Sequence, residues 1–317
     1  MAYYRCSEVI KMRRMAMNSK QEDYDVEGPA GMTVYRLEQG KNKGTEKTFR
    51  SLTRSMGVEE SLGQGILKTS EMEHLNALNE IMWNIRDGKL QSAEELMEQV
   101  RNQIDVEIPR NKQYIAAKYA ELQYQRQNIT AEEYEARLKE ALAYTIPSFS
   151  TSGLQGWPFH DEELVLLVAL SNALKKQKKY KEQKELAEDI RRCLTKEYLN
   201  SEMKNRFYIL ATIILADALG SLGVYREAIQ LDKEAIELCK KWNEFRNIEV
   251  AYYDIFWNLQ KIKEKETLTE SEETEAYQCL LQAYYVSRAK GNTKPLYEKK
   301  LREYYPEISF GSMFQDQ

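Results

Sequence analysis

Two histidines, His74 and His160, and four cysteines, Cys6, Cys193, Cys239 and Cys279, are the residues best suited to bond-making chemistry in this chain. The histidines lie far apart and neither stands in a recognisable Ser/His or Cys/His arrangement, so nucleophilic catalysis has no foothold. The cysteines are scattered, with neither a CxxC pair nor the spacing of a metal-ligand set. They read as buried thiols of a reducing compartment. No glycine-rich loop is placed to cradle a phosphate. Neither an enzyme activity, a metal nor a cofactor is expected.

What remains is the chemistry of recognition, carried by cations, amides and hydroxyls. Residues 1–57 hold eleven Lys and Arg against seven Asp and Glu, a net +4, whereas the whole chain carries −4. A mildly basic head on an acidic body suits a DNA reader whose second part is kept off the phosphates. Within the head, Thr33, Tyr35 and Arg36 are polar residues of one short helical segment. Lys41 and Lys43 follow it.

Those side chains need elements to position them. Glycine (14) and proline (6) are scarce in 317 residues, which argues for long helices with short connections rather than a turn-rich β fold. Four short helical segments are expected in the head. The first begins with Cys6, Val9 and Ile10 and runs to about Met17, the second spans Gln21 to Val26, and the third Gly31 to Leu37. The fourth carries Phe49, Leu52 and Met56, with Thr45 placed to cap it. Gln39-Gly40 ends the third, glycine being free to take a left-handed C-terminal conformation.

Lys11-Met-Arg-Arg14, Gln21-Glu22-Asp23 and Thr33-Val-Tyr-Arg-Leu-Glu-Gln-Gly-Lys41 together resemble the Xre, or lambda-repressor-like, helix-turn-helix. The likeness is to the form found in peptide-pheromone-responsive regulators of the Rgg/PlcR type, including the one-residue-shorter interval from Gln21 to Glu38. It implies that Gln21 opens the helix crossing the DNA backbone and that residues 30–36 form the recognition helix. Lys41 and Lys43 would then approach phosphates. Gln21, Met32, Thr33, Tyr35, Arg36, Lys41 and Lys43 are the candidate contacts to double-stranded DNA.

Several residues depart from that pattern. Tyr24-Asp25 stands where the family has Leu-Ala, and Pro29, Ala30, Gly31 and Met32 make no bidentate hydrogen bond to a base. Asp23, Asp25 and Glu27 bring negative charge toward the approach surface. Arg36 is open to pairing with Glu38 or Glu22 instead of with DNA. A module that has lost DNA binding and is kept for dimerisation or packing is the alternative reading.

Gly57-Val-Glu-Glu-Ser-Leu-Gly-Gln-Gly65 is the expected joint between residues 1–60 and 66–317. Beyond it, Ser70-x-x-Glu73, Thr130-x-x-Glu133 and Thr269-x-x-Glu272 read as capping boxes. A repeat of the tetratricopeptide kind can be traced. Its clearest copy has Leu215-Ala216, Leu219, Gly223, Tyr225, Ala228 and Ala235, and a second has Leu170-Ser171, Leu174, Tyr180 and Ala187. A weaker one has Gly88, Leu90, Ala93 and Val100. The expected fold is therefore all-α, a lambda-repressor-like head followed by a tetratricopeptide-like superhelix. Leu138 to Pro147, Ala283-Tyr-Tyr-Val286 and Leu301 to Tyr305 also resemble the sensor domains of Rgg/PlcR-type regulators.

Stacked helical hairpins offer an inner face suited to an extended peptide. The repeat frame puts Val168, Asn172, Lys175 and Lys176 on that face in one copy, and Ile213 and Asp217 in the next. In the last repeat it puts Tyr252, Tyr253, Asp254, Trp257 and Asn258 there. The resemblance implies asparagines that grip a peptide backbone, and Asp254 stands about where one would be. Any one of these residues reads more readily as core, and the groove as a region is the firmer expectation. The candidate peptide contacts are Val168, Asn172, Lys175, Ile213, Asp217, Tyr253, Asp254 and Asn258.

No signal-peptide core opens the sequence, and the most apolar stretch, Phe207 to Ala216, is half the ~20 residues of a spanning helix. The chain thus reads as a cytoplasmic regulator that binds double-stranded DNA as a homodimer and senses a short signalling peptide, without touching a membrane. A peptide-responsive adaptor without DNA binding and a plain repeat scaffold are the alternatives.

Overall fold

Helical spacing of apolar residues becomes helix throughout the computed structural model, in which every regular element among the described residues is helical. The structure describes residues 10–11, 13–15, 17–24, 31–39, 41, 48, 51–52, 55–56, 77, 80–85, 87–104, 108–147, 149, 154, 159, 161–195, 201–291 and 295–306. Among the expectations above, Cys6, both histidines, Lys43, Thr45, Phe49, residues 57–65 and the Ser70/Glu73 pair lie outside them.

The head contains helical residues at 10–11 and 13–15, a 3-10 turn at Gln21–Tyr24, α1 (Gly31–Glu38) and helical residues within 48–55. Ile10, Tyr24, Val34, Leu37, Leu52 and Met56 close a small core, with Met17 against it. Tyr24 fills core space. Gly31 favours the close approach of α1 to the preceding turn. A Cβ there would lie 3.2 Å from the Glu22 amide nitrogen, a backbone atom that cannot swing aside.

The rest is a succession of helices: α2 (Leu90–Arg101), α3 (Pro109–Gln125), α4 (Ala131–Ala143), α5 (Asp161–Lys176), α6 (Tyr180–Leu194), α7 (Ser201–Ser221), α8 (Tyr225–Trp242), α9 (Ile248–Lys263), α10 (Glu270–Ala289) and α11 (Pro295–Tyr304). Packing is between chain neighbours, α2 on α3, α3 on α4, α4 on α5 and α5 on α6, then α8 on α9, α9 on α10 and α10 on α11. The chain divides into two compact units, residues 1–204 and 205–317. The head thus shares a compact unit with the first repeats.

Small residues sit where the repeat pattern requires close approach. Ala93, Ala187, Ala216, Ala228 and Ala235 are all fully buried. The turns inside the hairpins are equally regular. Gly88, Lys178 and Gly223, each two residues before the following helix, have φ of 75°, 59° and 84°. Glycine adopts this left-handed backbone freely, whereas Lys178 does so against its own Cβ. Thr130 and Thr269 form capping boxes. Their hydroxyls accept from the Glu133 and Glu272 amides, and those carboxylates accept from the Thr130 and Thr269 amides.

Polar groups buried in the first unit are paired across long sequence distances. Arg13 of the head donates to Glu163 of α5 through both terminal nitrogens, at 2.9 and 3.1 Å. Thr145 donates to the same carboxylate at 2.7 Å and accepts from Gln113 at 2.6 Å. Arg13 and Glu163 are 1% and 0% exposed, so either charge left alone would cost about 3–5 kcal/mol.

Candidate functional site

Helix α1 turns Met32, Tyr35 and Arg36 outward, while Val34 and Leu37 enter the head core. Thr33 is half-buried and Lys41 is exposed just past the helix, its amide donating to the Arg36 carbonyl at 2.9 Å. A shallow cleft of about 840 Å³ opens beside them, lined by Lys20, Gln21, Glu22, Met32 and Tyr35 among others.

The alternative pairing of Arg36 with Glu38 or Glu22 does not occur among the described residues. Glu38 is buried and takes Arg14 at 2.5 and 3.1 Å and the Gln21 amide at 2.6 Å, and Glu22 lies 4.0 Å from Lys20. Arg36 points away from the head core with no ion pair among the described residues. Gln21 spends an amide proton inside the head, so its side chain braces the turn onto the end of α1. The exposed face carries cations at Lys20, Arg36 and Lys41, but also the carboxylates of Glu22 and Asp23.

In the first unit, Val168, Asn172 and Lys175 occupy one face of α5. Asn172 and Lys175 are exposed and Val168 is half-buried, opposite the buried Leu166, Leu170 and Ala173. In the second unit the expected residues separate into three environments. Ile213 is 3% exposed and belongs to the core around α8 and α9. Tyr253 is half-buried and packs on Tyr297 and Phe256, with ring centres 5.1 and 6.0 Å away. Asp217 and Asp254 are half-buried, and Asn258 is 1% exposed.

The Asn258 amide nitrogen donates to the Asp254 carbonyl one turn earlier at 2.8 Å. Its Oδ1 packs against Gly220 of α7, where a Cβ would come within 2.5 Å of it. Asn258 is therefore positioned by its own helix and by the absence of a side chain at 220.

Asp232 of α8, absent from the sequence-based set, is fully buried nearby. Burial first, then the charges of Asp254 and Asp217, hold its carboxyl well above the usual carboxylate range. Its position was legible in one respect, since it lies in step with Ala228 and Ala235 on the apolar face of α8. Burial likewise pushes the thiols of Cys239 and Cys279 up to about 11 and 12, and neither is a nucleophile at neutral pH. Among the described residues no group of three His, Cys, Asp or Glu is disposed to hold a metal ion, and no helix is long and apolar enough to cross a membrane.

No protein-family model and no curated protein sequence matches this chain. Solved structures do. Bacillus thuringiensis PlcR, in complex with the peptide PapR7 and DNA, is similar with a TM-score of 0.58 at 17% identity, covering 94% of this chain and 99% of that one. The Streptococcus dysgalactiae SHP pheromone receptor Rgg2 aligns over 96% of this chain and 100% of its own, with a TM-score of 0.46 and 13% identity. The apo competence regulator ComR from Streptococcus vestibularis aligns over 97% and 99%, with a TM-score of 0.46 and 14% identity. The similarity to PlcR places this chain in the same all-helical architecture from the head to the last repeats.

Proposed function

We propose that this protein is a cytoplasmic transcription regulator whose residues 1–60 bind double-stranded DNA and whose residues 66–317 sense a short signalling peptide. The observation that carries the reading is the likeness to the PlcR fold over nearly the whole of both chains, in a structure that binds both ligands. The head supports it locally, since α1 offers Tyr35 and Arg36 outward from a packed core with Lys41 beside them. A helix so placed enters the major groove while the flanking cations meet phosphates. Two copies would read two half-sites, which makes a homodimer the working form.

Peptide and DNA binding require a mechanical link between sensor and head. Arg13 with Glu163 is a suitable one, because the buried pair joins a head helix to α5, the helix that carries Val168, Asn172 and Lys175. A peptide that favours one placement of α5 would thereby favour one placement of the head.

The exposed Glu22 and Asp23 favour a second reading, an adaptor that regulates another protein by contact. One experiment separates the two. Genomic fragments retained by the purified protein are recovered, and affinity for them is measured at several salt concentrations. A regulator gives affinity that falls steeply with salt, and Arg36→Ala or Lys41→Ala flattens the log–log slope by about one each if the lost contact is to phosphate. No retained fragment, or slopes unchanged in both variants, favours the adaptor.

A further inference from the structure

The second unit holds a set of buried acceptors for which its described residues supply no donor. Asp232 is 0% exposed, yet among the described residues neither of its carboxylate oxygens has a hydrogen-bond partner. Asn258 Oδ1, on a side chain 1% exposed, has none either. Buried polar atoms are ordinarily paired, and carboxylates most of all. The charged groups acting on Asp232 are themselves carboxylates, Asp254 of α9 and Asp217 of α7.

The placement of these residues makes one site of them. Asn258 packs on Gly220, which brings α9 against α7 at that level. Asp254 lies one turn before Asn258 on α9, and Asp217 nearly one turn before Gly220 on α7, so the two half-buried carboxylates stand on the facing edges of the two helices. Asp232 reaches the same place from α8 at full burial. With Asp232 ionised, its two oxygens and Asn258 Oδ1 are buried acceptors beside two further carboxylates, a combination met by a group that only donates and is positively charged. Ammonium and guanidinium groups answer that description, and the three carboxylates are not disposed to hold a metal ion.

We propose that Asp217, Asp232, Asp254 and Asn258 form a subsite for the cationic group of a bound peptide, a free N-terminal ammonium or a Lys or Arg side chain. The proposal rests on the peptide-sensing reading and adds to it the chemistry of the ligand. A neutral or acidic peptide would leave Asp232 and Asn258 Oδ1 unsatisfied, whereas a basic one would pair them and offset the repulsion among the carboxylates.

The test uses the full chain and random heptapeptides with free or acetylated N-termini. Peptides retained after gel filtration are identified by mass spectrometry. The wild type is expected to enrich Lys, Arg or free N-termini about ten- to hundredfold over the starting mixture, the range expected from a charged hydrogen bond. Asp254→Asn, at a half-buried position, and Asp232→Asn should each lose that preference while still retaining neutral peptides, with thermal melts reporting that both are folded. Retention without charge preference, or a preference surviving in both variants, overturns the subsite and leaves peptide sensing standing. Retention of no peptide at all overturns both.

Discussion

Asp232 carries a stability signature of its own. Burial and the carboxylates of Asp254 and Asp217 raise its pKa in the folded chain, so the folded state keeps a proton that the unfolded state releases above about pH 4. Between those two values the folded state binds more protons, and stability falls as pH rises. Asp232→Asn removes the penalty. It is expected to raise the melting temperature at pH 7–8, with a gain that shrinks as the pH approaches 4. An equal gain at both ends of that range, or a loss at neutral pH, would mean that the carboxylate is paired in solution. Asp217, Asp254 and Asn258 were visible in the sequence through the repeat frame. Asp232 was not, because a frame built to find inner-helix residues passes over an acid on the partner helix. Asn172 has the exposed placement that a contact residue needs, while Ile213, from the same frame, went to the core. Helical spacing alone does not separate those outcomes.

Helices and their ends were the most legible scale. The capping boxes at Thr130 and Thr269 form as their spacing implies, and the small residues of the repeat pattern are buried between helices. The third left-handed turn was hidden because Lys178 occupies a position that glycine holds at 88 and 223. Connections between helices were hidden too. Glu135 of α4 is buried, which alone would raise its pKa, but hydrogen bonds from Lys139, Lys179 and Gln177 outweigh burial and hold it down to about 2. A depressed carboxylate stabilises above its unfolded pKa, and the contribution disappears as pH falls through the folded one. Glu135→Gln is therefore expected to cost about 1–3 kcal/mol at pH 7, discounted for the partly exposed lysines. Urea titrations should find the deficit shrinking between about pH 5 and pH 2. A deficit independent of pH would assign the loss to packing instead.

Across the whole molecule, the head-and-repeat organisation was legible because both motifs are local in sequence. The contact of Arg13 with Glu163 was not, since 150 residues separate them and no periodicity links an arginine in one motif to a glutamate in another. In the proposed reading, that contact is what would give a sensor a physical hold on a DNA-reading head. A peptide-sensing regulator requires that its two ligands be coupled, and coupling is reciprocal. The most direct measurement is the affinity of the full chain for its recovered genomic fragments, at fixed salt, with and without the retained heptapeptides. Coupling is expected to change that affinity by about five- to 150-fold, and bound DNA should change peptide affinity by the same factor. Identical DNA affinity in the presence and absence of saturating peptide would contradict a regulator that senses peptide to control DNA binding.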